Sequence, residues 1–250
     1  MGVTWIVEKG NTLWKIGVFE EGELVSRVSF EDFSSDAIPS VEPEEIMLSG
    51  SGAWTEEEEA ALHDICDGNL FVFKYGDGHP LVTQVYNPSS MGTDRVANSY
   101  AVQQGIDDYM RVNPAWLIVD VGTCVTADLI VEGVHLGGSI SPGIQSRLNV
   151  MNSDTHALPR VEFGLDEEKV LGQTRGLSTE EALVRGGADG VVSEIIGRWT
   201  SLKQEYPTIG VILTGGGSSN LELGPVTPKF ADSNLTLKGY YALLQSIKSV

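Results

Sequence analysis

The chain has 250 residues, 16 of them basic and 35 acidic, for a formal net charge of −19. Such a charge repels nucleic-acid phosphates and anionic lipid headgroups, so neither a nucleic acid nor a membrane is expected as a partner. With 41% hydrophobic and 20% charged residues, the composition is that of a folded globule, large enough for two compact units or one large α/β body. In chain order, residues 3–7 are β-branched and aromatic and the run stops at Gly10, which predicts a buried strand. Residues 15–19 predict a second strand, and Glu21-Gly22 a turn into a third at 24–30, together an antiparallel meander. Residues 46–49 read as a short strand ending in Gly50-Ser51-Gly52. Thr55 followed by Glu56, Glu57 and Glu58 has the form of a capping box that opens a helix running to about Ile65. Strands are expected at 70–73 and 81–85, and a helix over 93–104, starting just past Gly92.

The second half repeats this grammar. Residues 116–120 and 125–131 predict two strands joined by a turn at Gly122-Thr123. Pro142 is expected to open a helix that extends to about Met151. Ser178 or Thr179 is expected to cap a longer helix through Ile195 and Trp199. Residues 209–213 predict a strand ending in Thr214-Gly215-Gly216-Gly217, and residues 235–247 a final amphipathic helix. The natural division falls near residue 114, giving units 1–114 and 115–250. No apolar run approaches the roughly 20 residues needed to span a bilayer, and Met1-Gly2-Val3-Thr4 does not begin a secretory signal, so a cytoplasmic protein is expected. Cys66 and Cys124 form no CxxC and the four histidines are scattered, which argues against a disulfide framework or a thiolate zinc site.

A chain this acidic must capture any anionic substrate with local donors, which directs attention to the glycine turns. Two of them resemble each other, Glu8-Lys9-Gly10-Asn11-Thr12 and Asp120-Val121-Gly122-Thr123, each between two predicted strands. A glycine in a tight hairpin lets N–H groups converge on a phosphate, the threonine adds a donor, and the carboxylate can hold a hydrated cation. Two such hairpins facing each other can clamp the phosphate chain of ATP, although either alone is equally an ordinary turn. Lys15 on the outgoing strand makes the pair more specific. The Thr214-Gly215-Gly216-Gly217 turn would let an adenine ring approach the main chain, or be a plain strand-to-helix connection. Asp94 at a helix start suits a buried general base, with Arg95 as a cation for an anionic substrate; equally, Thr93 or Asp94 caps the helix. No Walker sequence and no GxGxxG after a strand is present.

The ordered set Glu8-Lys9-Gly10-Asn11-Thr12-Leu13-Trp14-Lys15, Gly92-Thr93-Asp94-Arg95, Asp120-Val121-Gly122-Thr123, Gly137-Gly138-Ser139-Ile140-Ser141-Pro142-Gly143, Ser178-Thr179, Thr214-Gly215-Gly216 and Leu235-Thr236-Leu237-Lys238-Gly239 closely resembles type III pantothenate kinase and spans nearly the whole chain. The resemblance implies an α/β fold of two ribonuclease-H-like domains, as in the acetate and sugar kinase, Hsp70 and actin superfamily, with the active site in the cleft between them, and a homodimer. It implies ATP-dependent phosphorylation of pantothenate to 4′-phosphopantothenate, with magnesium accompanying ATP and a monovalent cation, potassium or ammonium. Carried over by residue, Glu8, Lys9, Gly10, Asn11, Thr12, Leu13, Trp14 and Lys15 form the first phosphate hairpin, and Thr123 is a further ATP contact. Gly92, Thr93, Asp94 and Arg95 bind pantothenate, with Asp94 as proton acceptor and Tyr86 matching a substrate-contacting tyrosine. Asp120 matches the monovalent-cation residue, and Thr179 a substrate contact across the dimer. The chain departs from the family at residue 8, where Glu8 replaces an aspartate; a weakened or non-catalytic nucleotide-binding paralogue, or a kinase of another small hydroxylated substrate, is the alternative reading.

Overall fold

Strand β1 (Thr4–Lys9) shows how the two-residue period of a strand sorts this chain. Trp5 and Val7 join an apolar cluster with Leu62 and Cys66, at the end of helix α1 (Glu56–Ile65), whereas Ile6 joins a second cluster with Val96, Ala97, Tyr240 and Leu243. Glu8 therefore shares the face of Ile6. The computed structural model describes residues 2–10, 13–31, 38–164, 175–218 and 221–249.

Strands β2 (Trp14–Glu20), β3 (Glu23–Phe30), β4 (Glu45–Ser49) and β5 (Leu70–Val72) complete the first sheet, ordered β3-β2-β1-β4-β5. The first three strands are antiparallel, and β4 and β5 run parallel to β1. Helix α1 covers one face; α2 (Thr93–Gln104) and the last helix cover the other. Thr55 caps α1 as its sequence predicts: its hydroxyl accepts from Glu58 N–H, and the Glu58 carboxylate accepts from Thr55 N–H at 2.9 Å. After the short helix α3 (Asp108–Arg111), a second sheet is built from β6 (Ala115–Val121), β7 (Cys124–Val131), β8 (Val134–Pro142), β9 (Gly210–Thr214) and β10 (Lys229–Ala231), ordered β10-β9-β6-β7-β8. Its pairings repeat the first: β6, β7 and β8 are antiparallel neighbours, with β9 and β10 parallel to β6. Leu117, Val119 and Val121 of β6 bury against α4 (Ile144–Ser153) and α5 (Thr179–Leu202).

Several expectations are corrected. Residues 81–85 form no strand, and Thr83 makes only an isolated bridge. Strands β8 and β10 are not marked by the sequence pattern, and Pro142 ends β8 rather than opening a helix; α4 begins two residues later, behind Gly143. The glycines of β8 hide its two-residue pattern, and a proline is tolerated at the end of an edge strand. The chain divides into Met1–Asp108 with Asn234–Val250, and Tyr109–Ser233, so the unit limits differ from 1–114 and 115–250. The crossing falls at 108/109, and α6 (Leu235–Lys248) belongs to the first unit because Leu237, Tyr240, Leu243 and Leu244 bury against β1, β4 and α2. No helix among the described residues is long and apolar enough to cross a membrane.

Candidate active site

In the first unit, Glu8 lies opposite Lys15 in the β1–β2 ladder, so both side chains leave the same face, and Lys15 Nζ donates to Glu8 Oε2 at 3.0 Å. On the parallel neighbour β4, the register partner of Glu8 is Ser49, which is fully buried and donates its hydroxyl to the Phe73 carbonyl at 3.0 Å. The Tyr240 hydroxyl of α6 donates to Thr93 Oγ1, the first residue of α2, at 2.9 Å. Burial pushes the Tyr240 phenol well above its ordinary range; the carboxylates of Glu8 and Asp94 push it further, and hydrogen bonds with Ser49 and Thr93 oppose them. One buried phenol thus gathers the end of β1, the end of β4 and the start of α2. No side chain caps α2, whose cap position is Gly92; Asp94 lies in its first turn, and its Oδ1 accepts the Arg95 N–H at 2.8 Å. An acid there suits the positive end of the helix.

The hairpin tip closes with Gly10 N–H donating to Leu13 carbonyl at 2.9 Å, while Asn11 and Thr12 lie outside the described residues. Lys9 turns toward α1: its ammonium donates to both Glu58 oxygens at 2.7 and 2.8 Å and lies over the rings of Trp14 and Trp54. Trp14 is buried, stacked with Phe30 and edge-on to Trp54, so its ring serves the core, and Leu13 is exposed. Burial would raise the Glu58 carboxyl, but hydrogen bonds and charge from Lys9 and the Thr55 N–H hold it below the usual glutamate range. A cavity of about 490 Å³ in this unit is lined by Gly50, Ser51, Gly52, Tyr75, Gly92 and Thr93 among others, at the carboxyl ends of parallel β4 and β5. Tyr86 is fully exposed on the loop before α2. A larger cavity of about 620 Å³ in the second unit lies against Leu129, Gly138, Glu194 and Arg198, and touches neither acid-glycine turn. The smaller one is bordered by the Gly92-Thr93 motif.

In the second unit, Asp120 ends β6 on the face turned away from α4 and α5, and its register partner on β9 is Thr214. Gly122 N–H donates to Cys124 carbonyl at 2.9 Å, and Thr123 is exposed, its carbonyl accepting from Gly143 N–H and Ser146 Oγ. Thr179 is exposed at the start of α5, behind a Ser178 cap that accepts from Glu181 N–H at 3.1 Å.

The two units share a device the sequence reading did not see. Gly50, at φ +128°, follows β4 so closely that a Cβ would lie 2.2 Å from the Lys9 carbonyl; Gly215, at φ +85°, follows β9, and its Cβ would lie 2.3 Å from Asp120 Oδ1 and 2.6 Å from the Val121 carbonyl. Only glycine fits either place. Two residues on, Gly52 N–H donates to Lys9 carbonyl at 2.8 Å and Gly217 N–H to Val121 carbonyl at 2.9 Å. The signal was present in Ser49-Gly50-Ser51-Gly52 and Thr214-Gly215-Gly216-Gly217, each ending a strand that runs parallel to an acid-bearing one.

The fold has solved counterparts. A ROK hexokinase from Thermus thermophilus superposes with a TM-score of 0.51 at 15% identity, covering 99% of this chain and all of that one. A conserved Baf family protein from Campylobacter jejuni gives 0.57 at 17% identity, covering 98% and 100%. The fold of this chain, α/β with two five-stranded sheets, is therefore shared with these proteins. A protein from Phocaeicola vulgatus named type III pantothenate kinase is 30% identical over 96% of both chains. The family model of type III pantothenate kinases matches residues 31–201, and with that match and that relative the chain belongs to the type III pantothenate kinase family.

Proposed function

We propose that the two acid-glycine turns and the first turn of α2 carry out the reaction of this family, transfer of the γ-phosphoryl group of ATP to the primary hydroxyl of pantothenate. Asp94 accepts the hydroxyl proton as the oxygen forms its bond to the γ-phosphorus, the bond from γ-phosphorus to the bridging oxygen breaks, and ADP leaves. Gly92, Thr93 and Arg95 hold pantothenate beside Asp94, with the guanidinium of Arg95 toward its carboxylate. Tyr86 and Thr179 are further substrate contacts, the latter across a homodimer. The hairpin from Glu8 to Lys15, with the Lys15 ammonium, and Thr123 align and neutralise the phosphates; such alignment and charge stabilisation supply most of the rate in phosphoryl transfer. The carboxyl-end cavity of about 490 Å³ is within the range of small-ligand sites.

Magnesium bound with ATP would neutralise charge on the phosphates, and Glu8 would hold its water shell. Such an ion takes most of its ligands from phosphates and water. For the monovalent cation, potassium or ammonium, Asp120 and Thr214 offer an oxygen set: Thr214 Oγ1 is buried and makes no hydrogen bond among the described residues. A cytoplasmic setting belongs to the same reading.

The observation that carries the proposal is the buried Tyr240–Thr93 bond, which sets the Gly92-Thr93-Asp94 turn at a small-molecule cavity within electrostatic reach of Glu8. Coupled ADP release with pantothenate, magnesium and potassium tests it. Turnover with pantothenate above other small hydroxy acids is expected; ATP binding without pantothenate-dependent ADP release would refute it.

A further inference from the structure

We infer that Tyr240 is a positioning residue for phosphoryl transfer: its buried hydroxyl fixes the first turn of α2, and with it Asp94, against the ends of β1 and β4. The inference rests on the proposed role of Asp94. Tyr240 is wholly inaccessible to solvent, Thr93 is 3% exposed and Ser49 fully buried, so no water competes for this bond. The phenol has one proton, and it is given to Thr93 Oγ1 at 2.9 Å. Ser49, on the end of β4, donates to the Phe73 carbonyl at 3.0 Å and is as deeply buried as the phenol. Thr93 precedes Asp94 directly, so a bond that pins Thr93 also limits where the Asp94 carboxylate can swing.

Two further features make this bond a lever rather than ordinary core packing. Residue 239 is glycine because α6 presses on α2 there: a Cβ would lie 2.2 Å from the Ala97 carbonyl, one turn after Thr93. The backbones of the two helices are thereby held in contact, and the phenol reaches Thr93 without slack. The next residue, Tyr241, points elsewhere and stacks on Phe19 at 4.3 Å between ring centroids. Two adjacent tyrosines thus offer a hydroxyl that holds the site and one that does not. Burial, with the charges of Glu8 and Asp94, also disfavours phenolate, so the phenol is held toward its donor form.

Tyr240→Phe keeps the ring and removes the hydroxyl. It is expected to lower kcat about tenfold, the scale of one lost buried hydrogen bond, while KM for ATP and pantothenate stays within about twofold. Tyr241→Phe should leave both unchanged. Thr93→Val combined with Tyr240→Phe should lower kcat no further than the larger single change, since both remove one bond. Amide hydrogen exchange at Val96, whose N–H bonds to the Gly92 carbonyl, should rise in Tyr240→Phe and not in Tyr241→Phe, with or without substrate. A Tyr240→Phe protein with wild-type kcat and wild-type exchange overturns the inference, as does one whose loss lies in KM or matches a loss of folded protein. Should the wild type fail to turn over pantothenate, the functional reading falls, and the exchange measurement still decides whether Tyr240 fixes α2.

Discussion

The two acid-glycine hairpins share a backbone and differ in their electrostatics. Each acid stands beside a parallel strand that ends in a glycine turn, and each hairpin receives an N–H from that turn on the residue after the acid. Across the hairpin, however, Glu8 faces Lys15 whereas Asp120 faces Thr126. The first hairpin therefore brings its own cation to within 3.0 Å of its carboxylate, and is braced outside by Lys9 on Glu58. The second sets a shorter acid among glycines and hydroxyls. A duplicated frame can thus be tuned for two ionic tasks by changing only the residues that face each acid. Glu8 is longer than the aspartate it replaces but keeps its charge, and that charge meets the Lys15 ammonium at 3.0 Å.

This comparison can be broken or sharpened by experiment. The largest effect is expected at the residue that has no counterpart in the duplication: Asp94→Asn should lower kcat by a factor of about 10²–10⁴ and leave ATP binding by calorimetry nearly intact. Wild-type turnover would reduce Asp94 to a first-turn helix acid. Next, Gly50→Ala and Gly215→Ala should each destabilise the fold by about 2–4 kcal/mol in urea unfolding, since each Cβ meets backbone at positive φ. A large cost at one and none at the other would end the equivalence of the two turns. At the first acid, Glu8→Gln should lower turnover about tenfold by removing the charge proposed to hold the hydrated magnesium, while Glu8→Asp, which keeps that charge, should match or exceed the wild type. Restoration of activity by aspartate in an inert wild type would instead show that the glutamate disables the hairpin.

At the second acid, replacing potassium with a large organic cation should lower activity by about one order of magnitude or less, and Asp120→Ala should abolish that dependence. Equal rates in both salts would remove the cation from Asp120. The smallest effect is an acid limb of stability shared by both units. Burial would raise Glu194, but hydrogen bonds from Arg147, Ser141 and Arg198 hold it low, as Lys9 and Thr55 do for Glu58. A carboxyl depressed in the folded state stabilises fully above the ordinary glutamate range, and that contribution is lost as pH falls through the lower folded value. Thermal melts of Glu58→Gln and Glu194→Gln should therefore be flatter than the wild type below about pH 4.

Elements announced by local chemistry were legible in the sequence. The Thr55 capping box, the start of α2 after Gly92 and the β1–β2–β3 meander all follow from signals within a few residues. Residues 81–85 have strand composition but no partner strand, and β10 is three residues long, so neither outcome could be read from pattern alone. The acids at 8, 94 and 120 were visible because their motifs are contiguous. Ser49 and Tyr240 were not, because their meaning depends on partners far along the chain: Tyr240 meets Thr93 across 147 positions, and the Leu235 to Gly239 motif stops one residue before it. For the same reason α6 was assigned to the wrong half, its amphipathic face being clear but the surface it covers being distant.

The second unit, Tyr109–Ser233, is inserted within the first, which is completed only by Asn234–Val250. Synthesis runs from the amino terminus, and domains fold as units as they emerge. The inserted unit is therefore the first whose full sequence is available, although its amino-terminal neighbour was started earlier. Until α6 leaves the ribosome, Ile6, Met47 and Ala97 lack the helix that covers them, and Thr93 lacks Tyr240. A nascent or carboxyl-truncated chain holds both acid-glycine turns yet has no finished first unit, so the competence of the enzyme is decided by its last helical turns.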